Sequence, residues 1–299
     1  MKKLLRSVAI AAVPAFLYAA PASAQAAAAL PDVDPAIWVV KDPDTTIYLF
    51  GTFHALDGKT AWFNDEVKTA FDKSDEVVVE VIMPEDPAAI QAIMAKHAVA
   101  TGKPPLSSRL SPAAREELTK RLQASGVPMA AIDPLKPFFA SLMLTMQEAG
   151  KLGLDGKNGA DKVVLDAAKK AGKKTGDLET MEFQLSMLDV LPEDKQIEML
   201  EGTIKSLDEI PGLFGQMKAL WNAGDAEGFA KLMQSMSAES PEGYKVIFSD
   251  RNAKWADWVD QRLDKPGTVF MAVGTGHLAG KDSVQQILAK RGIKSARVK

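Results

Sequence analysis

Several residue types and motifs that point to familiar chemistries are missing from this chain of 299 residues. It contains no cysteine, which excludes disulfide bonds, thiol catalysis and metal sites built on thiolates. It also lacks an H-E-x-x-H motif, a G-x-S-x-G elbow and a P-loop, so these local signatures of metalloproteases, serine hydrolases and nucleotide-binding proteins are absent. Histidine is scarce and occurs at His54, His97 and His277.

Positive charge is not concentrated anywhere along the chain. The formal net charge is −3, and no basic tract follows the N-terminal segment. A mildly acidic chain has no electrostatic attraction to nucleic acid or to anionic lipid, so neither is an expected partner. Because 46% of the residues are apolar, the chain can bury a sizeable core.

The first 24 residues have the pattern of a secretory signal. Three basic residues precede a short apolar stretch that Pro14 interrupts, and the segment ends in Ala-Ser-Ala directly before Gln25. This pattern predicts cleavage at Ala24/Gln25 and export, most simply to a bacterial periplasm. An uncleaved N-terminal anchor is the alternative. No later segment is apolar enough to span a membrane, and residues 25–34 are predicted to be a disordered linker.

Strand-like and helix-like apolar patterns alternate at both ends of the remaining chain. Residues 36–83 predict a β-β-α-β unit, and residues 250–299 predict a helix, a strand, a helix and a short strand. Such alternation indicates an α/β (α+β) fold, with a central mixed sheet built from the N- and C-terminal segments. Residues 35–299 are therefore expected to form a single domain.

The middle of the chain, about residues 84–240, is predicted to be a mostly helical insertion. One short strand is expected within it, over residues 173–180, after a helix that ends at Gly172. The predicted helices cover residues 87–98, 112–124, 136–148, 160–171, 182–191, 193–207 and 225–236.

One local pattern occurs twice, near the two ends of the chain. The segments TIYLFGTFH, ending at His54, and TVFMAVGTGH, ending at His277, each place Gly-Thr and a histidine after an apolar strand. The motif glycines are Gly51 and Gly274, and glycine allows a tight turn or a close approach to a ligand. Ligands bind at the carboxyl ends of strands in open α/β sheets, so the two motifs are predicted to form one site. The alternative is a pair of histidines that only make core hydrogen bonds.

Glu80 is a carboxylate within the apolar strand VVVEVIM. Its burial would cost several kcal/mol unless a cation or another partner compensates the charge. We expect its strand to lie beside the strand that ends at His54, which would bring the two side chains together. In the alternative interpretation, Glu80 lies on an edge strand and points to solvent.

Three further polar residues are candidates for a supporting role. Glu179, in GDLET, lies between a predicted strand and a helix, where it could serve the site or simply cap the helix. Arg251 and Asn252 open a helix close to the second histidine motif and could hold a substrate, or could form ordinary surface pairs. His97 has no motif around it and is predicted to be a surface or interface residue.

Two histidines and one or two glutamates at strand ends suit a divalent metal that binds nitrogen and oxygen ligands. Such an ion lowers the pKa of bound water and polarises a carbonyl group, which favours hydrolysis. A carboxylate that does not bind the ion could act as a general base.

The quoted segments also resemble a known family. GTFH, EVVVEV, DLETMEFQLSMLD and the late RN…W…VGTGHLAG are similar to motifs of the TraB/PrgY/GumN family, which is related to the Tiki metalloproteases, over about residues 36–298. The resemblance implies a peptidase-like fold that binds manganese, cobalt or zinc. The implied metal ligands are His54, Glu80 and His277, and the implied supporting residues are Glu179, Arg251 and Asn252.

The sequence thus predicts an exported, metal-dependent hydrolase, with a peptide or protein substrate in the cell envelope. No C-terminal membrane anchor is recognisable, so tethering after signal cleavage is not expected. The alternative is a non-catalytic periplasmic protein that binds a peptide or haem through the same histidines. In a third interpretation, the two motifs only close the sheet.

Overall fold

The computed structural model describes residues 29–299, of which Pro31–Lys299 form one compact unit. The predicted signal sequence and most of the predicted linker lie outside the described residues. The last part of that linker is hydrogen-bonded, because the backbone of residues 31–34 pairs with Ala61 and Asn222. The ordered chain therefore begins before residue 35, where the sequence pattern placed it. None of the helices in this described part has the length and apolar content needed to cross a bilayer.

A mixed sheet of six strands forms the centre of this unit, in the order β4-β3-β5-β2-β1-β6. β4, β3, β5 and β2 run parallel to one another, whereas β1 is antiparallel to both of its neighbours. The predicted fold class is confirmed, and the middle of the chain contributes one edge strand. The strands are β1 (Ile37–Lys41), β2 (Thr45–Thr52), β3 (Glu76–Val81), β4 (Lys174–Glu179), β5 (Gly267–Gly274) and β6 (Ser295–Arg297).

The two histidine motifs follow neighbouring parallel strands. β2 pairs with β5 along its whole length, and Thr52 lies opposite Gly274. Both strands consist largely of apolar, β-branched or aromatic residues, which suit a sheet covered on both faces. Although 223 residues separate the two histidines, the sheet brings both of their strands to the same edge.

Thirteen α-helices are described, most of them in the middle of the chain. The one substantial helix that the pattern did not predict is α9, whose sequence IPGLFGQMKALWN contains Pro211 and two glycines. Proline is compatible with the first turn of a helix, so it begins α9 rather than breaking it. The helices are α1 (Asp65–Lys73), α2 (Pro87–His97), α3 (Leu106–Arg109), α4 (Pro112–Ala124), α5 (Pro137–Lys151), α6 (Ala160–Lys170), α7 (Met181–Asp189), α8 (Glu193–Lys205), α9 (Ile210–Asn222), α10 (Ala226–Glu239), α11 (Pro241–Tyr244), α12 (Asp250–Leu263) and α13 (Val284–Lys290).

Apolar side chains cover both faces of the sheet. On one face, Phe50 and Phe270 pack against Trp62 and Trp221. On the other face, the strands pack against α12 and α13 through residues such as Trp255. A third cluster joins α3, α4, α5 and α8 in the helical middle. The carboxyl ends of the parallel strands, where the site lies, are therefore held by a core on each side.

Candidate functional site

The predicted site residues converge at the carboxyl ends of the parallel strands. His54 follows β2, Glu80 is the next-to-last residue of β3, and Glu179 ends β4. His277 lies in a short turn of 3-10 helix, Thr275–Leu278, directly after β5. The first turn of α12 adds Arg251 and Asn252. The structure thus brings together all six residues, which lie up to 223 positions apart in the sequence.

Glu80 lies at the centre of this group. Its Oε1 is 3.9 Å from His54 Nε2 and 3.7 Å from His277 Nε2. The same oxygen accepts a hydrogen bond of 2.6 Å from the backbone N–H of Gly274, and Oε2 accepts one of 2.8 Å from Arg251 Nη2. The residue is 7% exposed and lies on an interior strand, so the solvent-facing interpretation is wrong.

The strands that carry Glu80 and lead to His54 are not neighbours, contrary to the expectation from the sequence. The strand of Glu80, β3, does not neighbour the strand that ends at His54, because β5 pairs with both and lies between them. His54 still reaches Glu80, since it lies beyond the end of β2 and Gly274, at the end of β5, has no side chain to separate the two. A β-carbon on Gly274 would lie 2.9 Å from His54 Nε2 and 3.0 Å from Glu80 Oε1.

The carboxyl group of Glu80 is ionised at neutral pH. Burial acts to raise its pKa, but the neighbouring His277, His54 and Arg251, together with the N–H of Gly274, lower the pKa to about 2. His277 lowers this pKa only when its ring is protonated, so at neutral pH Arg251 and His54 supply the positive charge. At neutral pH the site therefore holds a buried carboxylate between two imidazoles and a guanidinium.

Arg251 is a buried, fully engaged cation. Its Nε donates to Glu179 Oε1 at 2.9 Å, and its Nη2 donates to Glu179 Oε2 at 2.7 Å and to Glu80. Its Nη1 donates to the carbonyl of Ile247 and to His277 Nε2, each at 3.0 Å. Burial lowers the pKa of Arg251, and the two glutamates outweigh that effect and raise it. Since the residue is only 6% exposed, the surface-pair interpretation is wrong.

Glu179 is hydrogen-bonded to other residues of the site and does not cap α7. It accepts hydrogen bonds from Arg251, from Trp255 Nε1 at 3.1 Å and from Gln184 Nε2 at 3.2 Å. The cap of α7 is Thr180, whose hydroxyl accepts from the N–H of Phe183. The capping interpretation of Glu179 is therefore wrong. Gln184 lies in the DLETMEFQLSMLD segment but was not among the predicted site residues, and it extends the network because its Nε2 also lies 3.4 Å from Glu80 Oε2.

The two motif histidines have opposite surroundings, and His277 is the buried one. Its Nδ1 lies 2.6 Å from Asn252 Oδ1, so it carries the proton, while its Nε2 accepts from Arg251. Its ring packs between those of Phe248 and Trp255, with centroids 5.0 and 4.3 Å away. Burial lowers the pKa of His277, the negative charge of Glu80 acts to raise it, and the positive charge of Arg251 acts to lower it. The resulting pKa is about 3. His277 is therefore neutral, and Asn252, 1% exposed, holds its tautomer.

His54 is the accessible histidine, with 60% of its side chain exposed to the pockets that it lines. Its Nδ1 lies 3.2 Å from Asp161 Oδ1, which directs Nε2 towards Glu80. The surrounding protein atoms act to lower the pKa of His54, but the hydrogen bond to Asp161 and the charge of Glu80 raise it to about 9. Asp161 lies in the first turn of α6 and was not predicted, because nothing in its local sequence separates it from an ordinary helix-start acid.

A cavity of about 790 Å³ opens onto this cluster. His54, Glu80, Arg251 and His277 lie at one end of it, and most of the remaining wall is apolar. Its size is within the range of pockets that hold small molecules. The apolar wall includes Phe53, Met146, Phe214, Met217, Phe229 and Phe248.

The donor set suits a divalent metal in its chemistry, and partly in its geometry. Imidazole nitrogen and carboxylate oxygen are ligands of zinc, cobalt and manganese. His54 Nε2 and Glu80 Oε1 border the space that a β-carbon of Gly274 would fill, which is consistent with an ion at this pair. His277 Nε2, in contrast, is engaged by Arg251.

The three donors are not gathered around one point. In the described chain, the group whose ligand atoms all lie within 4.8 Å of one another is instead the exposed trio Asp32, Asp34 and Asp65. Donors on opposite sides of an ion with bonds of about 2.1 Å are about 4.2 Å apart at most. The residues therefore fit an ion held by His54 and Glu80, and His277 can complete the set only where Arg251 releases its Nε2.

His97 lies away from this cluster and is buried, so it is not a surface residue, one of the two settings predicted for it. It ends α2, which packs on α7, and its Nε2 lies 3.4 Å from Glu182 Oε1. A lone histidine at a helix end gives no signal of which neighbouring helix will cover it. His97 takes no part in the strand-end site.

The fold and site define an α/β protein with a buried histidine–glutamate–arginine cluster at the carboxyl ends of its parallel strands. Residues 36–297 match the TraB/PrgY/gumN family, and the chain belongs to that family. The resemblance noted from the sequence motifs is thus confirmed.

Curated relatives extend along most of the chain. The uncharacterized protein YbaP of Escherichia coli (strain K12) is 27% identical over 255 residues, which cover 85% of this chain and 92% of YbaP. The YbaP protein of Shigella flexneri matches to the same extent. An uncharacterized protein of Treponema pallidum (strain Nichols) is 21% identical over 268 residues, covering 85% of this chain and 80% of its own length. No solved structure is significantly similar to this chain.

Proposed function

We propose that this protein is an exported, metal-dependent hydrolase with peptidase-like chemistry. The observation that carries the proposal is the ionised carboxylate of Glu80, which lies between two imidazoles at the end of a cavity large enough for a small substrate. Buried charges of this kind are costly to maintain, and strongly shifted pKa values are concentrated at functional sites. Membership of the TraB/PrgY/gumN family is consistent with the proposal.

In this proposal, His54 and Glu80 hold a manganese, cobalt or zinc ion, and His277 becomes the third ligand when Arg251 releases its Nε2. The ion would supply a Lewis acid for a carbonyl oxygen and lower the pKa of coordinated water. The other residues position these ligands. Asp161 orients His54 through Nδ1, and Asn252 orients His277 in the same way.

Arg251 and Glu179 hold the carboxylate of Glu80 in place. The guanidinium binds one oxygen of Glu80 and both oxygens of Glu179, so the three side chains form a rigid, charge-assisted unit. Oε1 of Glu80 remains directed at the histidines and the cavity. This oxygen is available either to bind the ion or, where the ion is held by the imidazoles, to accept a proton from water as a general base.

The proposal includes the cellular setting expected from the sequence. The signal pattern of residues 1–24 supports export to the periplasm, and a peptide or protein of the cell envelope is the proposed substrate. N-terminal sequencing of the protein secreted by a bacterial host tests the export step. A mature chain that begins at Gln25 is the expected result, and an intact chain retained in the cytoplasm contradicts it.

Metal content tests the site directly. The wild-type protein, purified without a histidine tag and dialysed against each metal in turn, should retain about one manganese, cobalt or zinc ion per chain by elemental analysis. His54→Ala and His277→Ala should each lose it, because each removes one of few ligands. His97→Ala, the matched control at the third histidine, should keep it. Equal metal content in all four proteins would show that the cluster does not bind the ion.

A ligand-binding protein without catalytic activity is the second candidate, and the mainly apolar wall of the cavity favours it. Such a protein would hold a peptide or haem through the same histidines. Glu80→Gln separates the two candidates. A hydrolase loses turnover of its substrate in this variant, whereas a binding protein keeps its ligand and shows no turnover before or after the change.

A further inference from the structure

The cavity has a polar end and an apolar body. At the polar end, the strand ends present His54, Glu80 and His277, and α12 presents Arg251. Away from this end, α5 contributes Met146, Ala149 and Gly150 to the wall, α9 contributes Phe214 and Met217, and α10 contributes Phe229. Ile247 and Phe248, from the π-helical stretch Lys245–Ser249, complete the wall. A bound molecule must match both parts.

The body of the cavity is poorly suited to peptide main chain. Each peptide group buried without hydrogen-bond partners costs on the order of 2–7 kcal/mol. The polar groups of the wall outside the strand-end cluster are few, and Asp155 already accepts from the N–H of Lys157. An apolar group, in contrast, gains free energy for each methylene that it buries there.

The polar end favours a neutral head group. Arg251 is the fixed cation of this end, and it is already paired with the two carboxylates of Glu80 and Glu179. A further anion would lie against Glu80 Oε1, and His54, the accessible cation of this end, is already paired with Asp161 and Glu80. A carbonyl group of an amide or ester can accept hydrogen bonds there without adding charge.

We infer that the substrate of this site is a neutral amide or ester that carries a long apolar group, and that this group fills the cavity between α5, α9 and α10. The inference rests on the proposed hydrolase function and specifies the class of its substrate. The apolar group is either an acyl chain or a bulky apolar side chain, since both present the same surface to the wall. The reaction centre then receives the carbonyl while the apolar group holds it in place.

Met217 and Gly150 are the residues that test the cavity. Met217 is half-buried on α9, and glutamine has a similar length, so Met217→Gln places a polar group in the wall with little loss of packing. The control is Leu213→Gln, on the same helix, where the leucine is 37% exposed and does not line the cavity.

Gly150 lies near the end of α5, and a β-carbon there would meet no atom within 4 Å. Gly150→Leu therefore adds bulk beside the cavity, and Gly202→Leu is its control in α8.

Binding is measured by displacement of N-phenyl-1-naphthylamine, a neutral dye that fluoresces in apolar surroundings. One series of competitors is N-butanoyl-, N-octanoyl- and N-dodecanoyl-alanine amide, and the other is acetylated tripeptide amides with alanine, leucine or phenylalanine side chains. We expect saturable displacement that strengthens at least tenfold from the shortest to the longest apolar group in one series. An increase in the N-acyl series identifies the apolar group as an acyl chain, and an increase in the tripeptide series identifies it as a side chain.

The variants show whether the dye and its competitors bind in the cavity. Met217→Gln and Gly150→Leu should each weaken the best competitor at least fivefold, and Leu213→Gln and Gly202→Leu should leave it unchanged. No dependence on apolar length in either series, or equal loss in variants and controls, overturns the inference. The same titration on Glu80→Gln measures ligand binding independently of hydrolysis, so the inference about the ligand is tested separately from the proposed function. Retained binding without hydrolysis by the wild-type protein would contradict the hydrolase, and not the apolar ligand.

Discussion

Arg251 donates a hydrogen bond from Nη1 to Nε2 of His277, over a distance of 3.0 Å. The acceptor is the nitrogen that would have to face a metal ion for both motif histidines to bind it. The same guanidinium forms ion pairs with Glu80 and Glu179, so it stabilises the site and competes for one of its ligands. The stability of the site and the completion of its ligand set are therefore coupled through one side chain.

Removal of this guanidinium should destabilise the fold strongly. Arg251→Met leaves two buried carboxylates without their cation, which costs about 3–5 kcal/mol of the free energy of unfolding. Urea denaturation followed by circular dichroism measures the change. Arg291→Met is the control, because Arg291 pairs with Asp257 at the surface, where such a pair contributes about 0–1 kcal/mol. A similar loss in both variants would contradict the role assigned to Arg251.

Metal affinity should increase with pH. The pKa of His54 is raised to about 9 in the metal-free protein, so below that pH an ion must displace a proton from its ring. The apparent association constant should rise about tenfold per pH unit between pH 6 and pH 8. Titration with cobalt, followed by its visible absorption, measures this slope. Asp161→Asn removes the main partner that raises the pKa, and should flatten the curve; an equally steep curve in this variant would contradict the assignment.

The stability of the metal-free protein should be greatest near pH 6.5. The pKa of His277, about 3, lies below its ordinary value of 6.5, so the unfolded chain takes up this proton first and stability falls as the pH drops from about 6.5 towards 3. The pKa of Glu80, about 2, lies below its ordinary value of 4.5, so its contribution is lost as the pH falls from about 4.5 towards 2. The pKa of His54, about 9, lies above its unfolded value, so its contribution is lost as the pH rises from 6.5 through 9.

Urea midpoints at pH 4, 6.5 and 9 test this profile. His54→Gln should remove most of the decline on the alkaline side, and His277→Gln most of the decline between pH 6.5 and 4. Unchanged profiles in the two variants would show that other groups govern the pH dependence.

The two motif glycines should tolerate alanine poorly, for different reasons and with different consequences. Gly274→Ala would place a β-carbon against His54 Nε2 and Glu80 Oε1, and should weaken metal binding about tenfold or more. Gly51→Ala would place one 2.7 Å from the hydroxyl of Thr275, which itself donates to the carbonyl of Thr52. It should lower the free energy of unfolding by about 1–3 kcal/mol.

Metal titration and urea denaturation of both glycine variants separate these effects. Gly202→Ala is the control, because a β-carbon there has open space around it. Full metal affinity in Gly274→Ala would indicate that the ion, if bound, lies elsewhere.

Local sequence patterns were sufficient for the strands and most helices. Apolar runs with β-branched residues predicted the β-β-α-β unit, and a Lys-Thr-Gly-Asp-Leu-Glu segment after Gly172 predicted β4. The helix α9 was missed because Pro211 and two glycines weaken its local signal, and its helical state depends on packing of Phe214 and Trp221 against the core. The helix that covers His97 could not be predicted either, since α7 packs on α2 only in the tertiary structure.

The sequence by itself determined which residue types are available for chemistry. Without cysteine, no site of this protein can use a thiolate ligand or a thiol nucleophile, and the repeated Gly-Thr-x-His pattern marked two of the three histidines. Both predictions need only the residue names and the alternation of apolar positions along each strand.

Only the tertiary structure decided the charge and the accessibility of the two motif histidines. The pairing of β2 with β5 brings them to one edge, but His54 meets Asp161 there and His277 meets Arg251 and Asn252. One imidazole is therefore charged and accessible, while the other is neutral and buried. These partners come from helices 25 or more residues away in sequence, and electrostatic interaction depends on distance in space, which identical local motifs do not specify.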